Sequence, residues 1–197
     1  MKLFYRLFIF LFLILGGCYS GSTLYYMDTG EVKAPNLVAN PSFEHGNQLV
    51  SSAPANWYVI TSSKELITPM ELDSTVTLAG KYSLKIPKCD QNMYLVSDAF
   101  RINPKGVFFV RCFLKSATAM KKPVKIHFWT YDSAGNKKNS FQKSLKLKPE
   151  WNQVSITAGF LKKNTAFGRI AIFIPKDTGN QIWLDDTGCY MVHELEK

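Results

Sequence analysis

The sequence predicts an all-β protein in which antiparallel strands form a sandwich or a barrel. From about Asn36 onwards, apolar and polar residues alternate in segment after segment, which is the period of a strand with one buried face. Gly, Pro, Asn or Asp closes these segments, as turns require, and no window has a convincing helical period. Many short strands separated by turns are typical of sandwiches and barrels.

The strands follow one another with short connections, and one connection is a clear hairpin turn. Residues 132–136 read Asp-Ser-Ala-Gly-Asn, and Gly and Asn accept the positive φ values that hairpin turns need. The strands on either side of this turn are therefore predicted to be neighbours. The predicted strands are Asn36–Val38, Trp57–Ile60, Glu65–Leu66, Ser83–Ile86, Tyr94–Arg101, Val107–Ala117, Val124–Tyr131, Lys143–Lys148, Asn152–Phe160, Gly168–Ile174 and Ile182–His193.

Residues 1–17 have the pattern of a bacterial lipoprotein signal peptide. Lys2 and Arg6 precede an apolar run over 7–15, and Leu-Gly-Gly-Cys at 15–18 has the form of a lipobox. The run is about half of the roughly 20 apolar residues that span a bilayer, which favours a cleaved signal over a membrane-spanning anchor. Cys18 is the predicted lipidation site, residues 18–35 the tether, and residues 36–197 the folded domain.

The predicted location is the bacterial cell envelope, with the chain anchored to a membrane through its lipid. Tyr19 follows the cysteine where, by resemblance to enterobacterial sorting signals, an aspartate would favour retention in the inner membrane. In a bacterium with two membranes, the outer membrane is therefore the expected site.

The chain has a formal net charge of +9, and its 197 residues suffice for one domain of usual size. Its lysine clusters fit a solvated face, and they also fit attraction to anionic glycans, lipid headgroups or cell-wall polymers. Nucleic acid is not an expected partner, because no recognition motif is present. With Cys18 lipidated, Cys89, Cys112 and Cys189 allow at most one internal disulfide, and the alternation around Cys112 predicts a buried free thiol.

Several motifs occur in a recognisable order between Asn36 and His193. They are NLVANPSFEHG at 36–46, SSAPANWYV at 51–59, AGKYSLKI at 79–86, MYLVSDAFRINPKGVFFVRCFLKSA at 93–117, EWNQVSITAGF at 150–160 and IWLDDTGCYMV at 182–192. This order resembles that of carbohydrate-binding modules with a galactose-binding-like jelly roll, of the family 4, 9, 16 and 22 type. The resemblance implies two packed antiparallel sheets, often a structural calcium ion, and a glycan site on the concave sheet or its edge loops.

A calcium site is expected where the two ends of the domain meet. The resemblance places Glu44 of the opening motif near Asp185 of the last strand. Two carboxylates and a backbone carbonyl from the Lys81–Tyr82 turn would give the hard oxygen ligands that calcium prefers. Without a metal, Glu44 and Asp185 would instead pair with Lys81 or accept backbone hydrogen bonds.

The predicted glycan platform lies on the strand Val124–Tyr131. Alternation sends Lys125, His127, Trp129 and Tyr131 to one face of that strand. Sugars stack their apolar C–H patches on flat rings and need fixed polar partners for their hydroxyls. His127, Trp129 and Tyr131 are therefore candidate ligand-binding residues, although each also fits ordinary cover beneath a loop.

Two further residues are candidates for the same site. Arg111, flanked on its face by Phe109 and Phe113, would extend the platform. Trp57 follows a loop where related modules carry either a core tryptophan or a ring that stacks on the ligand, and the core role is favoured.

No catalytic motif is apparent, so the protein is not expected to be an enzyme. The three histidines are not accompanied by a Gly-x-Ser-x-Gly or His-Glu-x-x-His sequence. Two functions stay open: a membrane-anchored glycan-binding lipoprotein, and an envelope scaffold or adhesion lipoprotein that binds another protein through its sandwich.

Overall fold

In the computed structural model, which describes residues 33–45, 53–61, 69–87, 89–177 and 179–195, the chain is built from strands. The predicted signal peptide, Cys18, most of the tether and the predicted strand Glu65–Leu66 lie outside these residues. No helix in the described ranges has the length and apolarity needed to cross a membrane. The strands are β1 Trp57–Thr61, β2 Glu71–Asp73, β3 Ser83–Ile86, β4 Met93–Ser97, β5 Phe100–Arg101, β6 Gly106–Ser116, β7 Val124–Asp132, β8 Lys137–Leu145, β9 Asn152–Ala158, β10 Thr165–Ile174 and β11 Ile182–Glu194.

The strands form two antiparallel sheets. The first sheet has the order β1-β4-β10-β7-β8, with β5 also paired to β10, and the second has the order β2-β3-β11-β6-β9. The hairpin at residues 132–136 joins β7 to β8, as predicted: Gly135 has a φ of 84°, and Asp132 N–H donates to the Asn136 carbonyl at 3.0 Å. The prediction of an all-β antiparallel sandwich is confirmed.

The core lies between the inner faces of the two sheets. In β7 the inward positions Val124, Ile126 and Phe128 are buried, and in β6 the inward positions include Phe108, which is fully buried. The rings of Phe108 and Phe128 meet across the two sheets with centroids 5.7 Å apart. The period-2 pattern therefore identifies the core-facing side of both strands.

Residues 36–38 are fastened to the last strand by hydrogen bonds of the Asn36 side chain rather than by a continuous strand. Asn36 makes a single bridge to Tyr190, so the predicted strand Asn36–Val38 is reduced to one paired residue. The Asn36 side chain donates to the Thr187 carbonyl at 3.1 Å and accepts from the amides of Val38 and Cys189, both at 3.1 Å. These bonds to an amide side chain take the place of a continuous ladder.

Three larger differences separate the predicted strands from those in the structure. The predicted strand Tyr94–Arg101 is split into β4 and β5 at Asp98, whose amide turns to the Asn56 carbonyl at 2.8 Å. β8 covers Lys137–Leu145 instead of Lys143–Lys148, because the hairpin starts the pairing directly after its turn. The sequence prediction missed β2, a short polar strand at the edge of the second sheet.

The three cysteines after Cys18 are buried free thiols in the structure. Burial raises the pKa of the Cys89 thiol to about 11 and also raises the pKa of Cys112 and Cys189. These thiols are therefore protonated at neutral pH and behave as small apolar core groups.

Candidate functional site

The outer face of the first sheet carries the predicted platform. Its members on β7 are Lys125, His127, Trp129 and Tyr131, which alternate with the core residues of the same strand. Trp129 and Tyr131 are half-buried, whereas His127 is only 6% exposed. The structure therefore brings the three predicted rings to one face, and the His127 imidazole is the most deeply buried of the three.

Two aromatic residues on neighbouring strands complete this face. Tyr94 of β4 and Phe173 of β10 are paired in register, and their ring centroids are 5.1 Å apart. The Tyr94 centroid also lies 5.7 Å from that of His127 and 5.4 Å from that of Trp129, and the His127 and Trp129 centroids are 5.6 Å apart. We call Tyr94, His127, Trp129 and Phe173 the ring cluster.

His127 is a polar side chain buried beneath the outer surface of the first sheet. Both of its ring nitrogens are inaccessible, and neither has a partner among the described residues. Burial, followed by the charges of Lys125 and Lys137, lowers the pKa of its imidazole. The ring is therefore neutral at pH 7, with one donor and one acceptor unused beneath the cluster.

Three cations lie over aromatic rings of this face. Lys137 Nζ is 3.9 Å from the centroid of the Trp129 ring, and Lys125 Nζ is 5.9 Å from that of Phe173. Arg169 of β10 places its Cζ 5.2 Å from the centroid of the Tyr58 ring. Such contacts contribute about 0.5–1 kcal/mol each where they are exposed.

A cleft of about 310 Å³ opens at one end of the face, beside the β7–β8 hairpin. In it, Arg169 Nη1 donates to the Tyr58 hydroxyl at 2.7 Å and to the Ser97 carbonyl at 3.0 Å. Burial raises the pKa of the Tyr58 and Tyr131 hydroxyls, which are therefore neutral donors and acceptors at pH 7. The cleft is lined by Tyr58, Ala99, Tyr131, Asp132, Ser133, Gly135, Phe167 and Arg169.

Two of the predicted ligand-binding residues do not belong to this face. Arg111 lies on β6 in the second sheet, where its Nη2 is 2.8 Å from Asp186 Oδ2 and its Cζ is 5.6 Å from the centroids of the Phe113 and Tyr190 rings. It cannot extend a platform on the opposite side of the sandwich. Trp57 is a core residue, 5% exposed, whose indole donates to the Asn40 carbonyl at 3.2 Å.

The predicted calcium ligands meet at one loop, residues 78–82, which precedes β3. Glu44 Oε1 accepts from the amides of Lys81 at 2.8 Å and Tyr82 at 2.9 Å. Asp185, which is fully buried, accepts through Oδ2 from Leu78 at 2.8 Å and Ala79 at 3.1 Å. The two carboxylates therefore hold four amides of the same loop.

This donor set fits calcium in its chemistry, because its side-chain ligands are carboxylate oxygens. Burial raises the pKa of Asp185, and the amides of Leu78, Ala79 and Asp186 partly offset that effect. Within the described ranges, no group of three or more His, Cys, Asp or Glu side chains is arranged to hold a metal ion. A cation here would therefore depend on backbone carbonyls, including that of Lys81, for its remaining ligands.

No known protein family profile and no curated protein matches the chain, but solved structures do. The enzymatically active domain of bacteriophage CBA120 tailspike protein 4 matches with a TM-score of 0.63 at 14% identity, over 79% of this chain and 21% of that one. This chain spans about a fifth of that tailspike domain. The module TmCBM61, solved in complex with β-1,4-galactotriose, matches with a TM-score of 0.55 at 18% identity, over 80% of this chain and 99% of that one.

A second complete module is similar in the same way. The CBM22-1 xylan-binding domain of Paenibacillus barcinonensis Xyn10C matches with a TM-score of 0.54 at 13% identity, over 82% of this chain and 97% of that one. Family 4 and family 16 modules match as well. The chain therefore has the galactose-binding-like β-sandwich fold of carbohydrate-binding modules, which most of these neighbours share.

Proposed function

We propose that this protein is a non-catalytic glycan-binding lipoprotein that holds polysaccharide at the bacterial cell envelope. The observation that carries the proposal is the ring cluster on the outer face of the first sheet, next to the cleft that contains Arg169. Flat rings provide stacking surface for sugars, and the tyrosine hydroxyls and guanidinium beside them provide fixed hydrogen-bond partners. Solved neighbours with the same fold include modules described as binding galactotriose and xylan.

The arrangement of charges on the same face supports a binding role without catalysis. Glycoside hydrolysis generally uses two carboxyl groups that flank the scissile bond. Across the described strands, the outward positions around the ring cluster carry no Asp or Glu: they are Tyr58, Ile60, Tyr94, Val96, Phe167, Arg169, Ala171, Phe173, Lys125, His127, Trp129, Tyr131, Lys137, Ser140, Gln142 and Ser144. Asp98 and Asp132 border this face, but each carboxylate accepts hydrogen bonds from nearby groups. The rings, hydroxyls and cations of the face itself can hold a sugar but do not supply such a pair.

A glycan array with the wild-type protein and a Trp129→Ala variant tests the proposed function. Loss of one stacking ring removes about 1.4 kcal/mol, so binding should weaken about tenfold. Trp151→Ala is the matched control, because Trp151 precedes β9 of the second sheet. Thermal melts of both variants verify that they are folded.

The array also separates the two candidate functions. Wild-type binding to a glycan, weakened about tenfold in Trp129→Ala and kept in Trp151→Ala, supports the proposal. Equal binding by all three proteins would remove the ring cluster as the site. No binding to any glycan would instead favour the envelope scaffold or adhesion role.

We also propose that the chain is tethered by a lipid on Cys18, which lies outside the described residues, with the outer membrane favoured where two membranes exist. The signal-like sequence at residues 1–17 supports this location. Detergent phase partitioning of the expressed protein tests it. Wild type should enter the detergent phase and Cys18→Ser the aqueous phase, whereas identical partitioning would contradict lipidation.

A structural calcium ion at the 78–82 loop completes the proposal. Glu44, the Lys81 carbonyl and Asp185 would hold the ion, which would supply positive charge between the two ends of the domain. The convergence of both carboxylates on one loop supports this assignment.

A further inference from the structure

The ring faces that a neutral sugar would stack on are covered by positive charge. The Lys137 ammonium lies 3.9 Å from the centroid of the Trp129 ring, which is contact distance. A sugar that stacks on that side of the indole must therefore displace the ammonium. Lys125 over Phe173 and Arg169 over Tyr58 repeat the arrangement on two further strands. A neutral sugar would have to remove cation–π contacts, whereas an anionic sugar gains a partner from each cation it meets.

These three cations have no carboxylate partner in the described part of the chain. The ion pairs within the described ranges join Lys85 to Glu71 at 3.1 Å, Arg111 to Asp186 at 2.8 Å and Lys148 to Glu150 at 3.8 Å. None of these pairs includes a cation of the outer face of the first sheet, which carries the ring cluster and Tyr58 and which we call the ring face. A half-buried arginine whose bonded acceptors are a tyrosine hydroxyl and a carbonyl keeps an uncompensated charge.

Two acidic residues border the face, and each is engaged locally. Asp132, in the lining of the cleft, accepts from the amides of Ala134 at 3.0 Å and Asn136 at 2.9 Å and from the Asn136 side chain at 3.2 Å. Asp98 accepts from the Asn56 side chain at 3.1 Å. They reduce the positive potential at one end of the face without pairing with its cations.

We propose that the ring face binds a glycan whose sugar units carry an oxyanion, a carboxylate or a sulfate ester. This inference rests on the proposed function and names its ligand class. The oxyanions of such a chain pair with Lys137, Lys125 and Arg169, while the sugar rings pack against the aromatic side chains between them. Lys2 and Arg6 belong to the predicted signal peptide, so the formal net charge falls from +9 to +7 in the cleaved chain, and this charge draws a polyanion to the surface from a distance.

Affinity electrophoresis of the full chain tests the inference with two matched polymer pairs. The first pair is polygalacturonate and its methyl-esterified form, and the second is dextran sulfate and dextran. The charged member of at least one pair should retard the protein, and its neutral member should not. Retardation by polygalacturonate alone identifies the oxyanion as a carboxylate, and retardation by dextran sulfate alone identifies it as a sulfate.

Two single-charge variants distinguish a site from general attraction. Lys137→Gln should weaken binding of the retained polymer about tenfold, because it removes an ammonium from the ring face. Lys115→Gln removes the same charge from the outer face of the second sheet and should change binding less than twofold. Thermal melts of both variants verify folding.

The remaining outcomes overturn the inference in distinguishable ways. Equal retardation by charged and neutral members of a pair, or glycan-array binding restricted to neutral sugars, rejects the anionic ligand but leaves glycan binding intact. Equal losses in Lys137→Gln and Lys115→Gln reject the ring face as the site. Absence of binding to all four polymers and to every array glycan rejects the proposed function as well.

Discussion

Gly80 lies in the middle of the 78–82 loop with a φ of 68°, in direct contact with Glu44. A Cβ atom at this position would overlap Glu44 Oε1, at a separation that real Cβ atoms do not show. The carboxylate cannot simply move aside, because the amides of Lys81 and Tyr82 hold the same oxygen. Because Gly80 has no side chain, Glu44 of the motif at 36–46 can reach this loop.

Gly80→Ala should therefore destabilise the domain more than Gly135→Ala. Both positions have positive φ, which costs an alanine about 1 kcal/mol, but a Cβ at Gly135 meets nothing within 4 Å. At Gly80, displacement of Glu44 adds the loss of charged hydrogen bonds, for a total of about 3 kcal/mol. Urea denaturation of both variants measures the difference, and equal losses would show that Glu44 is not held as described.

Alternation along one strand predicts some residues of the site and misses others. The shared face of His127, Trp129 and Tyr131 followed from the period of β7 alone. Tyr94, Phe173 and Arg169 were missed because their strands reach β7 through pairing between distant segments, which a local pattern does not encode. Alternation around Tyr94 and Phe173 places each residue on the opposite face of its strand from its chain neighbours. It does not show which of the two faces is the outer one.

At the level of elements, the ring cluster depends on the order β4-β10-β7 in the first sheet. In that order Phe173 of β10 stands opposite Tyr94 of β4 and Lys125 of β7. A one-residue slip of β10 would replace Phe173 and Arg169 on the outer face by core residues. The register of the central strand therefore sets the composition of the site.

The 78–82 loop is the element on which calcium should act. If the ion binds there, it binds the folded state, and at about 100 times its Kd it adds about 2.7 kcal/mol to the free energy of unfolding. Thermal melts should then show a higher Tm in Ca²⁺ than in chelator, by about 5–10 °C for a domain of this size.

Glu44→Gln is the control for calcium, since its amide oxygen can still accept the Lys81 and Tyr82 amides but carries no charge. This variant should lose most of the calcium response while keeping a similar melt in chelator. Coincident wild-type melts in Ca²⁺ and in chelator would contradict the proposed ion.

Strand prediction succeeded where apolar alternation was strong and failed where polar residues paired. β3, β6, β7 and β11 match their predicted bounds closely, because each carries a buried face. β2 and β8 are edge strands in which no side chain is fully buried, so no period of two marks them. Their positions are set by pairing with β3 and β7.

For the whole molecule, the two-sheet architecture was predictable and the sheet to which each strand belongs was not. Arg111 and Trp129 both alternate with core residues, and nothing local indicates that β6 and β7 lie in different sheets. The wrong assignment of Arg111 follows from that ambiguity. In the structure the two outer faces differ in charge: Arg111 is paired with Asp186, whereas the cations of the ring face have no acidic partner within the described ranges.

Tryptophan indole resonances report whether sugars bind on the ring face. The chain has four tryptophans, and the indoles of Trp57 and Trp183 are already bonded to the Asn40 carbonyl and Asp73 Oδ2. In a ¹H–¹⁵N titration with the tightest-binding oligosaccharide from the array, the Trp129 indole should shift progressively to saturation while those of Trp57 and Trp183 stay fixed. Saturable binding that leaves Trp129 unmoved and shifts Trp151 or Trp183 would contradict binding on the ring face.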